Sequence, residues 1–167
     1  MPYYERFLCA LPSPDALASV PDGELLKLWE GLGYYNRVRN MQTAARTVVC
    51  EYEGVLPASY EELLSLKGIG NYTAGAIASI AYQIPVPAVD GNVLRVISRI
   101  TEDRQDIMKQ SVRRQIEENL LGIMPEETPG DFNQALMELG AVVCVPNGSA
   151  RCEACPMSEY CLAYRHG

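Results

Sequence analysis

Long apolar runs are missing from these 167 residues, and with them any stretch able to span a bilayer. No basic-then-apolar leader opens the chain, so a cytoplasmic protein is the expectation. No segment alternates apolar and polar residues as a half-buried strand would, and neither an internal repeat nor a low-complexity linker occurs. Aromatic residues amount to only 8%, and ten of them are tyrosine. Basic residues are in deficit too: 14 Lys and Arg face 21 Asp and Glu, for a net charge of −7. That balance runs against a uniformly basic nucleic-acid binder. Its distribution is uneven, however. Gly31 to Cys50 carries Arg37, Arg39 and Arg46 with no acid, while acids gather at Glu51–Glu62, Glu102–Asp106 and Glu117–Glu127. A local basic face can hold phosphate while the remaining surface repels it; a solvated helix face is the alternative.

What is present reads as helix. Apolar residues recur at spacings of three and four in Leu25–Trp29–Leu32, Val38–Met41–Ala45–Val48 and Ile116–Leu120–Ile123. Ser59-Tyr60-Glu61-Glu62 forms a capping box, with Glu62 reaching back to the helix start. Pro85 and Pro87 exclude helix locally and predict an extended Pro85–Val89. Asp131 to Val143 reads as one helix. The predicted class is all-α, and 48% hydrophobic content is enough for one ordinary domain or two small lobes.

Six cysteines are unevenly placed. Cys9 and Cys50 lie in apolar, helix-like stretches and read as reduced core thiols. Cys144, Cys152, Cys155 and Cys161 enclose loops of seven, two and five residues. Thiolates crowded this closely are suited to wrap one metal centre, with zinc and an iron–sulfur cluster both open.

Leu66-Lys67-Gly68-Ile69-Gly70-Asn71-Tyr72-Thr73-Ala74 follows one helix and opens another. Gly68 and Gly70 permit a sharp turn, and Ile69 is expected to plug the corner. The start of the following helix offers an anion site for which a DNA phosphate is a suitable guest, although a plain helical corner would look alike. Eighteen residues after Tyr72 comes Asp90, at the start of Asp90-Gly91-Asn92-Val93. Its carboxylate can cap the next helix, or line a cleft at a junction between lobes.

In combination these residues resemble the helix-hairpin-helix superfamily of base-excision DNA glycosylases, and within it adenine DNA glycosylases of the MutY type. The resemblance covers nearly the whole chain. It runs through Leu28-Trp29-Glu30-Gly31-Leu32-Gly33-Tyr34-Tyr35-Asn36-Arg37, the hairpin, Val89–Val93, Phe132-Asn133-Gln134-Ala135-Leu136-Met137 and the four late cysteines. It implies a helical barrel lobe over 1–86 and a cluster lobe over 87–167, with a cleft between them. Bifunctional members such as endonuclease III carry a lysine two residues after the second hairpin glycine; here that position is Tyr72, which cannot form an imine, so a monofunctional glycosylase is implied.

Carried over by position, Asp90 would stabilise the positive charge that develops on the sugar as adenine leaves. Asn92 would orient Asp90, and Tyr72 would help place carboxylate and sugar. Tyr34 would wedge beside the opposite oxidised guanine, and Arg37, Lys67, Gly68, Gly70 and Tyr72 would contact DNA. Cys144, Cys152, Cys155 and Cys161 would hold a [4Fe–4S] cluster; zinc is the rival, although its ribbons usually pair two CxxC knuckles and only one occurs here. Arg151 and Arg165 are further candidates for phosphate, and His166, the only histidine, reads as frayed tail. The implied partner is double-stranded DNA bearing adenine opposite 8-oxoguanine or guanine, in a nucleoid-associated protein of bacterial type. The alternatives are a bifunctional glycosylase/lyase, a non-catalytic iron–sulfur DNA-binding fragment and a helical scaffold with structural zinc.

The family's barrel also includes an earlier helix whose glutamate protonates adenine, and Glu5 does not match that position. Without that acid, release would be expected to slow by about 10²–10⁴-fold. The chain is thus expected to be a catalytic core shortened at both ends, lacking the first barrel helix and the family's C-terminal NUDIX-like domain.

Overall fold

The computed structural model describes residues 2–167, which form ten α-helices and, among the described residues, no β-strand. None of these helices is long and apolar enough to cross a membrane. The chain divides into two compact units, residues 1–70 and 71–167. The sequence-derived boundary at 86/87 falls later, because the helix after the hairpin packs with the second unit through a helix more than forty residues downstream.

In the first unit, α1 (Pro2–Ala10), α2 (Pro14–Ser19), α3 (Asp22–Leu28), α4 (Tyr35–Glu51) and α5 (Tyr60–Ser65) succeed one another. Leu11, Val20, Leu25 and Val38 form its core, with Phe7 and Trp29 packed edge to face at 5.7 Å. Leu25–Trp29–Leu32 does not form one helix. Gly31 and Gly33 have φ of +91° and +68°, and the Trp29 indole donates to the Gly33 carbonyl at 2.8 Å, closing a turn instead. Ser59 Oγ accepts from the Glu62 amide as a cap should, but its hydroxyl donates to Glu61. Cys9 and Cys50 are exposed, contrary to expectation: α1 buries none of its residues, and Cys50 lies off the Val38–Ala45–Val48 stripe by which α4 is buried.

The second unit contains α6 (Asn71–Tyr82), α7 (Gly91–Ile100), α8 (Gln110–Leu121), α9 (Pro129–Glu138) and α10 (Leu162–His166). Its core joins Val89, Val93 and Leu94 to Val112, Ile116 and Leu120. Ile123 lies beyond α8 and is exposed, so the 116–120–123 stripe ends one turn early. Helix α9 gives way to a π turn, Leu139–Val143, where one continuous helix was expected.

Helix α6 approaches its neighbours closely because small residues face them. A Cβ at Gly75 would collide with the Pro87 carbonyl oxygen, and one at Gly130 would lie 2.9 Å from the Ser79 carbonyl oxygen. Gly75→Ala is therefore expected to cost about 1–3 kcal/mol. Gly23→Ala, with nothing near its Cβ, should be neutral or slightly stabilising. Denaturant unfolding of the two variants checks the contrast.

Candidate active site and cysteine cavity

Asp90 begins where a buried, extended segment meets a helix. Residues 83–90 are irregular, Ala88 and Val89 are buried, and Asp90 is the N-cap of α7. Its Oδ1 accepts from the amides of Asn92 and Val93, both at 2.8 Å, and its Oδ2 accepts from Asn92 Nδ2 at 2.9 Å. The side chain is thus a helix cap and a half-buried, three-times-bonded carboxylate at once.

Asn92 is held in turn by Arg95. The Arg95 Nη2 donates to Asn92 Oδ1 and to the Gly140 carbonyl, each at 2.8 Å, while its Nε donates to the Cys144 carbonyl at 2.8 Å. The π turn makes this possible. The Cys144 amide donates to the Leu139 carbonyl at 2.7 Å, five residues back, which leaves the Gly140 carbonyl for Arg95. Gly140 must be glycine for this approach, since a Cβ there would lie 2.6 Å from that of Asn92.

The four late cysteines line one cavity of about 410 Å³, walled by Val96, Arg99 and the segment through α10. Arg99 Nη1 donates to Cys144 Sγ at 3.2 Å and to the Val145 carbonyl at 3.1 Å. Cys161 Sγ lies 3.4 Å from the Arg99 carbonyl oxygen. Among the described residues, no three ligating side chains converge as they would on a single ion. Four thiols around one cavity supply the all-sulfur donor set that an iron–sulfur cluster or a zinc ion takes.

Tyr72 stands in the first turn of α6, 42% exposed, and its hydroxyl lies 3.4 Å from Met137 Sδ on α9. Lys67, Gly68 and Gly70 close the first unit and are exposed. Gly68 has φ +83°, and its α-carbon packs so closely on Asn40 that a Cβ is excluded. Ile69 is only half-buried; Leu66 is the residue sealed in at this corner, because the turn brings its side chain inward. Tyr34 caps α4 in the left-handed region at φ +47° and is 78% exposed, with the Arg37 guanidinium 5.1 Å from its ring centroid. Of the other arginines in that stretch, Arg39 pairs with Asp22 at 3.5 Å and Arg46 donates to the Ala18 carbonyl at 3.0 Å. Arg46 is thus engaged at the end of α2.

With this geometry in place, comparison with known proteins is direct. The description "HhH-GPD superfamily base excision DNA repair protein" matches residues 1–121, well over half of the chain. The chain belongs to this superfamily. It is 44% identical over 164 residues to the adenine DNA glycosylase of Mus musculus, and 38% identical over 165 residues to that of Schizosaccharomyces pombe. Each alignment covers 98% of this chain, which spans 32% and 36% of those proteins. Among solved structures, a thermostable thymine-DNA glycosylase superposes with TM-score 0.87 at 27% identity, covering 99% of this chain and 76% of the other. A trapped endonuclease III–DNA covalent intermediate superposes with TM-score 0.82 at 26% identity, with the same coverage. The all-helical glycosylase fold is therefore that of this chain.

Arg95, Arg99 and His166 were not apparent as structural participants in the sequence. His166 is not frayed: its Nδ1 lies 2.5 Å from Glu102 Oε2, joining α10 to the end of α7. Glu102 has φ +52°, an unusual conformation for a side-chain-bearing residue, and also binds Arg104 at 2.8 Å. The His166 bond foremost, then Arg104, holds its carboxyl below the usual 4.5. A depressed carboxyl pKa stabilises the fold above the unfolded value and stops doing so as pH falls through the folded one. His166→Ala should therefore lower the unfolding midpoint modestly above pH 4.5, and the difference from wild type should vanish in stronger acid.

Proposed function

We propose that this chain is the base-releasing core of an adenine-specific DNA glycosylase acting on adenine opposite 8-oxoguanine or guanine. The observation that carries the reading is the Asp90 carboxylate, fixed by two amides and Asn92 at the head of α7. It occurs in a chain 44% identical over nearly its whole length to an adenine DNA glycosylase.

The reaction breaks the bond between the adenine nitrogen and the sugar C1′, and the bonding electrons leave with the base. The positive charge that develops on the sugar is stabilised by a fixed carboxylate nearby, which costs no reorganisation at the moment of reaction. Asn92 keeps Asp90 from rotating, and Arg95 keeps Asn92 in place. Water then completes hydrolysis, its oxygen bonding to C1′ and the proton it gives up balancing the one the departing adenine takes. Tyr72 occupies the position of the lyase lysine and offers no amine to form an imine, so strand cleavage does not follow. Reaching the base requires its extrusion from the stack, at a few kcal/mol. In the first unit Tyr34 is the wedge, and Arg37, Lys67, Gly68 and Gly70 grip the backbone. The thiolates of Cys144, Cys152, Cys155 and Cys161 would hold a [4Fe–4S] cluster, which would supply a cross-link for the terminal segment.

An oligonucleotide with adenine opposite 8-oxoguanine, incubated with the protein and then alkali, should break at the adenine. Equal breakage without alkali would make the enzyme bifunctional, and no breakage at all would leave a DNA-binding module. Asp90→Asn should reduce release to background. The purified protein should absorb near about 400 nm and contain iron, as thiolate-bound iron–sulfur clusters do; a colourless, zinc-loaded protein would refute the cluster assignment.

A further inference from the structure

Asn133, within the Phe132–Met137 motif, is a polar side chain only 1% exposed. Its Nδ2 donates to Ser79 Oγ at 2.8 Å and to the Val86 carbonyl at 2.9 Å, and its Oδ1 accepts from the Ala88 amide at 3.0 Å. Both amide hydrogens are therefore used. Two of the three bonds go to the backbone on either side of Pro87, in the extended segment that ends at Asp90.

That segment has little else to hold it in register. Pro85 and Pro87 have no N–H, the Val86 amide makes only a local bond to the Ile84 carbonyl, and the Ile84 amide reaches back to the Ala78 carbonyl of α6, ahead of the prolines. Asn133 supplies from α9 the donor and acceptor that a neighbouring strand would supply in a sheet. The Ser79 hydroxyl donates to the Gly75 carbonyl at 2.7 Å, and Gly75 itself abuts Pro87, so α6 closes the other side. One residue, the buried Val89, separates the clamped Ala88 from Asp90. One turn along α9, Met137 meets the Tyr72 hydroxyl.

We propose that Asn133 is a positioning residue: by holding the Val86 carbonyl and the Ala88 amide, it sets where Asp90 stands relative to the sugar. This rests on the role given to Asp90 above. An aspartate in its place keeps the acceptor for Ala88 but loses both donors and sets a carboxylate oxygen against the Val86 carbonyl. A shift of about 1 Å in a reacting group can cost on the order of 100-fold in rate.

The test combines amide hydrogen exchange with single-turnover adenine release at saturating protein. In Asn133→Asp, exchange at Ala88, Asn92 and Val93 should accelerate by more than about tenfold relative to the most protected core amides. Release should fall about 100-fold while the DNA dissociation constant moves by less than about threefold. Ser79→Ala, which spares both backbone bonds, should retain most of the rate. Leu120→Ala in the core provides a control for lost stability and should leave both readouts near wild type once scaled to global unfolding. If Asn133→Asp does not fold, Asn133→Ser should show the same local acceleration in smaller measure. Unchanged local protection in the Asn133 variants, or an equal rate loss in Leu120→Ala, would overturn the proposal. A wild-type chain that releases no adenine would instead overturn the reading of Asp90, and the exchange measurement would still decide the clamp.

Discussion

A single guanidinium ties the chemistry of the second unit to its architecture. Arg95 donates to the side chain that orients Asp90 and to two carbonyls of the segment that leads into the cysteine cavity. Each of these acceptors is at least half-buried, where an unpaired group is costly, so the bonds define one arrangement rather than several. The π turn and Gly140 exist in this arrangement to let it happen: one redirects a carbonyl, and the other removes the side chain that would block the approach. Arg99, one turn further along α7, repeats the device at the thiol of Cys144. The first residue of α7's cap and the walls of the cysteine cavity are thus consecutive turns of one helix.

The net charge of −7 bears on the proposed contact with DNA only through how charge is distributed locally. The Asp90 charge is bonded on three sides within the second unit, whereas Arg37 and Lys67 stay exposed in the first. Acids outnumber bases in both units, nine to six over residues 1–70 and twelve to eight over residues 71–167, so neither unit is basic as a whole. Net charge describes the average surface, and recognition depends on local charge.

Some residues disclosed their place because the signal was local. Asp90 capping α7 and the break at Pro85–Val89 depend on neighbours within a few positions, and both are readable from residue chemistry alone. The cysteine spacing likewise pointed to a shared site, and the four thiols do line one cavity. Other readings failed where the partner was remote or the signal ambiguous. Apolar surroundings suggested buried Cys9 and Cys50, but burial depends on which helix face meets another, and both are exposed. Leu32 completed a helical spacing that two left-handed glycines interrupt. Arg46, one of three arginines in an acid-free stretch, donates to a carbonyl 28 residues away, a partner that no local pattern announces.

By itself the sequence determined the helical class, the cap at Asp90 and the close spacing of four cysteines, because each follows from short-range chemistry or residue identity. Only the tertiary structure decided that Asn133 holds the approach to Asp90, that Arg95 joins Asn92 to Cys144, and that His166 fastens α10 to Glu102. Those bonds link residues 45, 49 and 64 positions apart. Such pairings arise from how helices pack, and no periodicity along the chain encodes which distant polar group will meet which.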